Sequence, residues 1–139
     1  MTTRTRRRLL TVVAAPAAAL VAWTAITQAG VTLAVSTGGT VGAGNVAVVA
    51  LLAALGGWVV VRAIERRAAN PRFTWGLVAS ALLGVSMAGP SWTADGTAAV
   101  ALMSLHFVVA AVVIPGFMGT LPFRADCARC PAVPGGASQ

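Results

Sequence analysis

Lysine and tyrosine are absent from this 139-residue chain, only three acids occur, and charged residues of every kind make up 9% of it. A soluble globule needs far more polar surface than this, and the 58% hydrophobic content points to lipid as the solvent. The acids, Glu65, Asp95 and Asp126, are isolated from one another, so no carboxylate pair is available for acid–base work. The chain also lacks a nucleophile elbow, a phosphate loop and a His-Glu-x-x-His helix. No enzyme is expected from such a sequence, and no cofactor.

What is there begins with arginine. All ten basic residues are arginines, giving a formal net charge of +7. They do not form the stripe of a nucleic-acid-binding face, and no nucleic-acid partner is expected. They flank apolar runs instead, as in membrane proteins.

Four apolar runs, about 9–29, 45–64, 73–89 and 97–117, approach the roughly 20 residues that a helix needs to cross a bilayer. The expected fold is therefore all-α, an integral membrane four-helix bundle, preceded by a basic segment (residues 1–8) and followed by a disordered tail (residues 118–139). The breaks have turn chemistry: Ser36-Thr37-Gly38-Gly39 with Gly42 and Gly44, then Asn70-Pro71, then Gly89-Pro90-Ser91.

Arg4, Arg6, Arg7 and Arg8 precede the first run, Arg62, Arg66, Arg67 and Arg72 border the second and third, and Arg124 and Arg129 follow the fourth. Alternating spans put all ten on one side, which the positive-inside rule makes cytoplasmic, so both termini are read as cytoplasmic in a bacterial inner membrane. The N-terminus also resembles a signal peptide, but its apolar run exceeds the usual h-region of about 7–15 residues and no small-x-small cleavage site follows. Trp75 beside Arg72 and Trp92 in the far loop are read as interfacial residues, and Trp23 and Trp58 as packing residues.

Small residues allow helices to approach in lipid. In the third run Gly76, Ser80, Gly84 and Ala88 recur every four positions along one face, which marks a helix contact within or between subunits. Weaker patterns are Ala14, Ala18 and Ala22 in the first run and Ala50–Ala54 and Ala53–Gly57 in the second.

His106, in the middle of the fourth run, is the only ionisable residue deep in a span. Such a residue is a functional candidate by default, with nearby Ser104 as one hydroxyl that could serve it. A packing histidine bonded to a serine or a carbonyl of a neighbouring helix is the competing reading. Cys127 and Cys130 form a C-x-x-C pair, half of a zinc site without the other half, and two free thiols are expected.

Taken in order, Ala29-Gly30-Val31, Thr37-Gly38-Gly39 with Val41-Gly42, Glu65-Arg66-Arg67, Phe73-Thr74-Trp75, Leu105-His106 and Ile114-Pro115-Gly116 resemble a family of small actinobacterial four-span membrane proteins of unknown function. The resemblance covers about 9–117 and implies topology alone; the cysteine tail lies outside it. Two functional expectations follow. The first is a structural or accessory membrane protein that packs helices or binds a partner, either another copy or a second membrane protein. The second is a small oligomeric transporter or channel with His106 along a shared path.

Overall fold

The computed structural model describes residues 2–33, 39–94 and 96–121. The thiol pair Cys127–Cys130, Arg124, Arg129, Asp126 and Asp95 lie outside the described residues. Four helices follow in chain order: α1 Thr3–Gln28, α2 Ala43–Arg67, α3 Pro71–Thr93 and α4 Gly96–Met118. Each is long and apolar enough to cross a membrane.

Local chemistry sets the helix ends. Thr2 caps α1, its Oγ1 accepting from the Thr5 amide, so the N-terminal arginines lie within the first turns of α1. At the other end Gly30 takes φ 81°, and the Gly30 and Val31 amides donate to the Thr27 and Ile26 carbonyls, a Schellman closure that suits glycine. Pro71 opens α3 at its first position, where a missing N–H costs nothing. The Gly89-Pro90 break expected from sequence is not a helix end: α3 continues through Pro90 to Thr93, with Pro90 forfeiting the one amide that would donate to the Ser86 carbonyl.

Arg8, Thr11, Val12, Ala15 and Ala19 form the buried stripe of α1, with a helical period. The seam therefore runs one position on from the Ala14–Ala18 pattern. On α2, Val46, Ala50, Ala54, Val61 and Ile64 face inward, and on α4 Ala98, Ala101, Leu105, Val113 and Phe117 do so. Helix α1 packs broadly on α2 and α4, and α3 packs on α4. The consecutive helices α2 and α3 share only a thin contact.

The arginine-bearing ends of α1, α2 and α3 gather with the chain leaving α4 at one end of the bundle, the arginine end. Arg8 reaches Glu65 of α2 and Thr120 beyond α4, and Arg72 Nε donates to the Leu121 carbonyl at 3.0 Å. At the opposite end Trp23 Nε1 donates to the Val41 carbonyl at 3.0 Å, and the Val41 amide to the Leu33 carbonyl at 2.9 Å. Leu33 thus meets the chain returning toward α2.

Glycine permits two close approaches. A Cβ on Gly116 would lie 2.6 Å from Thr11 Oγ1, so α1 and α4 touch backbone to side chain there. One on Gly57 would lie 3.1 Å from Phe117 Cε2, since that glycine forms the seat for the Phe117 ring.

Candidate functional site

Two places gather chemistry, and the first is a polar clamp at the arginine end. Arg8 is 4% exposed. Its Nη1 donates to Glu65 Oε2 at 3.0 Å, its Nη2 to Glu65 Oε1, and its Nε to Thr120 Oγ1 at 3.1 Å. Thr120 in turn donates to the Phe117 carbonyl at 2.8 Å. The fork of the guanidinium is matched by both carboxylate oxygens, the geometry that makes such a pair strong and directional. One side chain therefore ties α1 to α2 and to the end of α4. The sequence placed Arg8 among orientation anchors and left Glu65 unpaired, and the structure assigns both to the interior contact.

Trp75 sits next to this clamp. It is 2% exposed, with its ring edge-on to Phe117 at 5.7 Å and 86°, and its Nε1 donates to the Ile114 carbonyl at 3.1 Å. Its expected interfacial position is replaced by a core position, because Gly57 leaves a slot that the indole and Phe117 fill together. Trp92, 84% exposed, stays on the surface, and Trp23 and Trp58 pack against the core.

The second place is a groove along the thin α2–α3 contact, floored by α4. It encloses about 740 Å³. Val49, Ala50, Ala53 and Gly56 line it from α2, Ala79, Leu82, Leu83 and Ser86 from α3, and Leu105, His106, Val109 and Val113 from α4. From Asn45 to Val60 the α2 wall runs fifteen residues, about 22 Å at 1.5 Å per residue.

His106 is half-buried on the groove wall. It lies ten residues from Gly96 and twelve from Met118, so about 15–18 Å from either end of α4. Its Nδ1 is 2.8 Å from the Leu102 carbonyl. A carbonyl can only accept, so Nδ1 carries a proton, and in the Nδ1–H tautomer Nε2 is left as an acceptor. The partner is thus on its own helix, where the packing reading expected a neighbouring one.

The structure does not bring Ser104 to His106: Ser104 Oγ donates to the Ala101 carbonyl at 2.7 Å and the residue faces outward. Ser86 does line the groove, with its hydroxyl donating to the Leu83 carbonyl at 2.8 Å. Of the small-residue ridge, Gly76 lies near Met118 and Ala88 is half-buried, while Ser80 and Gly84 are exposed and a Cβ on Gly84 would meet nothing within 4 Å. Within the chain the α3 seam is formed by Trp75 and Ala79 instead. Among the described residues no three His, Cys, Asp or Glu side chains come together as a metal site would require.

Four apolar membrane-length helices around a small-residue seam define a small multi-pass membrane protein. Residues 1–122 match the model of DUF6069, a family of unknown function, and the chain belongs to that family. No curated protein and no solved structure matches it.

Proposed function

We propose that this protein is a non-enzymatic accessory component of the membrane that binds a lipid-phase partner along the α2–α3 groove, with the arginine end and both termini in the cytoplasm. The observation that carries the reading is the groove itself. The bundle is closed on its α1–α2, α1–α4 and α3–α4 seams and open along one, where small side chains of α2 face α3 across about 740 Å³. Pockets of this size accept a single elongated or drug-sized ligand. The orientation rests on the grouping of arginines at one end of the bundle.

A channel lined by His106 from several subunits has less support. The imidazole is bonded to its own helix and the groove wall around it is apolar, whereas conducting paths present polar groups along their length.

Native mass spectrometry of protein released from its own membrane tests the reading. Gly56 lines the groove and a Cβ there meets nothing within 4 Å, so Gly56→Leu fills the groove without disturbing the seams. The wild type is expected to carry a discrete lipophilic adduct that Gly56→Leu loses and Gly84→Leu, outside the groove, keeps. Identical spectra for all three proteins would end the proposal.

A further inference from the structure

The wall of the groove carries one acceptor with nothing to accept from. His106 Nδ1 is engaged, and Nε2 has no hydrogen-bond partner among the described residues. Nor is that nitrogen sealed away, since no buried side-chain nitrogen or oxygen is left without a partner. Ser86, the groove's hydroxyl, has its own proton committed to Leu83. Among the described residues no donor is left to meet it.

Depth restricts its source. With His106 about 15–18 Å along α4 from its two ends, the donors of phospholipid headgroups, which stay at the interface, are out of reach. A water molecule needs two to four polar partners; Asn45 lies in the first turn of α2, so a water beside His106 would have the imidazole and the Ser86 oxygen at most. An occupant that satisfies Nε2 therefore has to carry its own donor into the hydrocarbon layer on an apolar body narrow enough for a groove between two helices.

We propose that the groove binds a long-chain alcohol, whose hydroxyl donates to His106 Nε2 while its chain lies along Val109 and Val113 of α4 and across from Ala53 and Gly56 of α2. The proposal rests on the reading of the groove as a binding site and adds the chemistry that this site selects. The imidazole supplies selectivity and the apolar wall supplies most of the attraction. An unpaired polar group in an apolar site is unfavourable, so a ligand with a hydroxyl is preferred to the same chain without one.

The chain has a single histidine, so protein labelled with ¹⁵N-histidine reports on one imidazole. The full chain in lipid nanodiscs is titrated with hexadecanol or with hexadecyl methyl ether, which has the same chain but no donor. Adducts are counted by native mass spectrometry and the Nε2 resonance is followed by NMR. The expected result is that hexadecanol binds about fivefold more tightly than the ether, the ratio that one ordinary hydrogen bond confers. It moves the Nε2 resonance, the ether does not, and Gly56→Leu abolishes the movement with the histidine still present. His106→Phe, which keeps an aromatic ring in place, is expected to bind both probes equally.

Equal binding of alcohol and ether to the wild type, lost in Gly56→Leu, overturns hydroxyl recognition and leaves the groove as a binding site. A resonance that moves equally in Gly56→Leu places the alcohol elsewhere and overturns the proposal. No adduct with either probe on the wild type overturns it also, while the adducts carried from the native membrane judge the groove independently.

Discussion

Arg8 and Glu65, 57 positions apart in the chain, meet as a two-pronged ion pair between α1 and α2, with the guanidinium Nε donating to Thr120. Removing one partner of a buried pair leaves the other charge stranded, whereas replacing both with apolar groups is far better tolerated. Arg8→Leu or Glu65→Leu alone is expected to destabilise the bundle by about 3 kcal/mol, and the double variant to recover most of that. Thermal unfolding in detergent gives the four corners of the cycle, and strictly additive losses would mean that the two residues act independently.

Gly116 and Thr11 set the distance between α1 and α4. Gly116→Ala would place a methyl group 2.6 Å from the Thr11 Oγ1 and Cγ2 positions, and a β-branched side chain on a helix has little freedom to turn away. The expected loss is roughly 1–3 kcal/mol, as for other overpacked cores. Adding Thr11→Ala should restore much of it in the same unfolding measurement, and no rescue would place the strain elsewhere.

Trp75→Phe removes the donor to the Ile114 carbonyl while keeping a ring against Phe117. The expected cost is about 1–2 kcal/mol, the hydrogen bond plus the volume lost. A surface role for Trp75 would predict no change in midpoint.

Gly84→Leu enters open space on α3 and is expected to change the stability of the single chain by less than about 0.5 kcal/mol. If the unfolding midpoint falls steeply while the oligomeric state is unchanged, the α3 face is not as the structure places it.

Orientation is read by labelling. With Cys127 and Cys130 changed to serine, Trp92→Cys, at the end away from the arginines, should react with an impermeant maleimide added to intact cells. Arg67→Cys at the arginine end should react only after permeabilisation. The opposite pattern would invert the proposed topology.

The spans were legible because membrane length and apolar composition are properties of single segments, and the grouping of arginines at one end follows from alternation. Arg8 was not legible as a core residue. Its role depends on α1 starting at Thr3, which puts position 8 in register with Thr11, Val12 and Ala15, and on a partner 57 positions on, at the far end of the next helix. Trp75 misled for a related reason, since a neighbouring arginine suggests an interface and nothing local reveals the slot that Gly57 leaves on another helix. The small-residue ridge of α3 showed which face permits close approach, but not which neighbour takes it. His106 was found by its depth alone. The groove beside it could not be found that way, because it arises from how far α2 and α3 diverge rather than from any one segment.

The clamp also orders the birth of the protein. Arg8 leaves the ribosome long before Glu65, and Thr120 comes later still, 112 positions behind it. Until α2 is inserted, the arginine has no carboxylate and must hold its charge among the lipid headgroups; the N-terminal helix can turn that face inward only as its neighbour arrives. Its Nε meets Thr120 only when the chain has passed the end of α4. Helix α1, made before α2 and α4, is thus locked in place only after both have arrived.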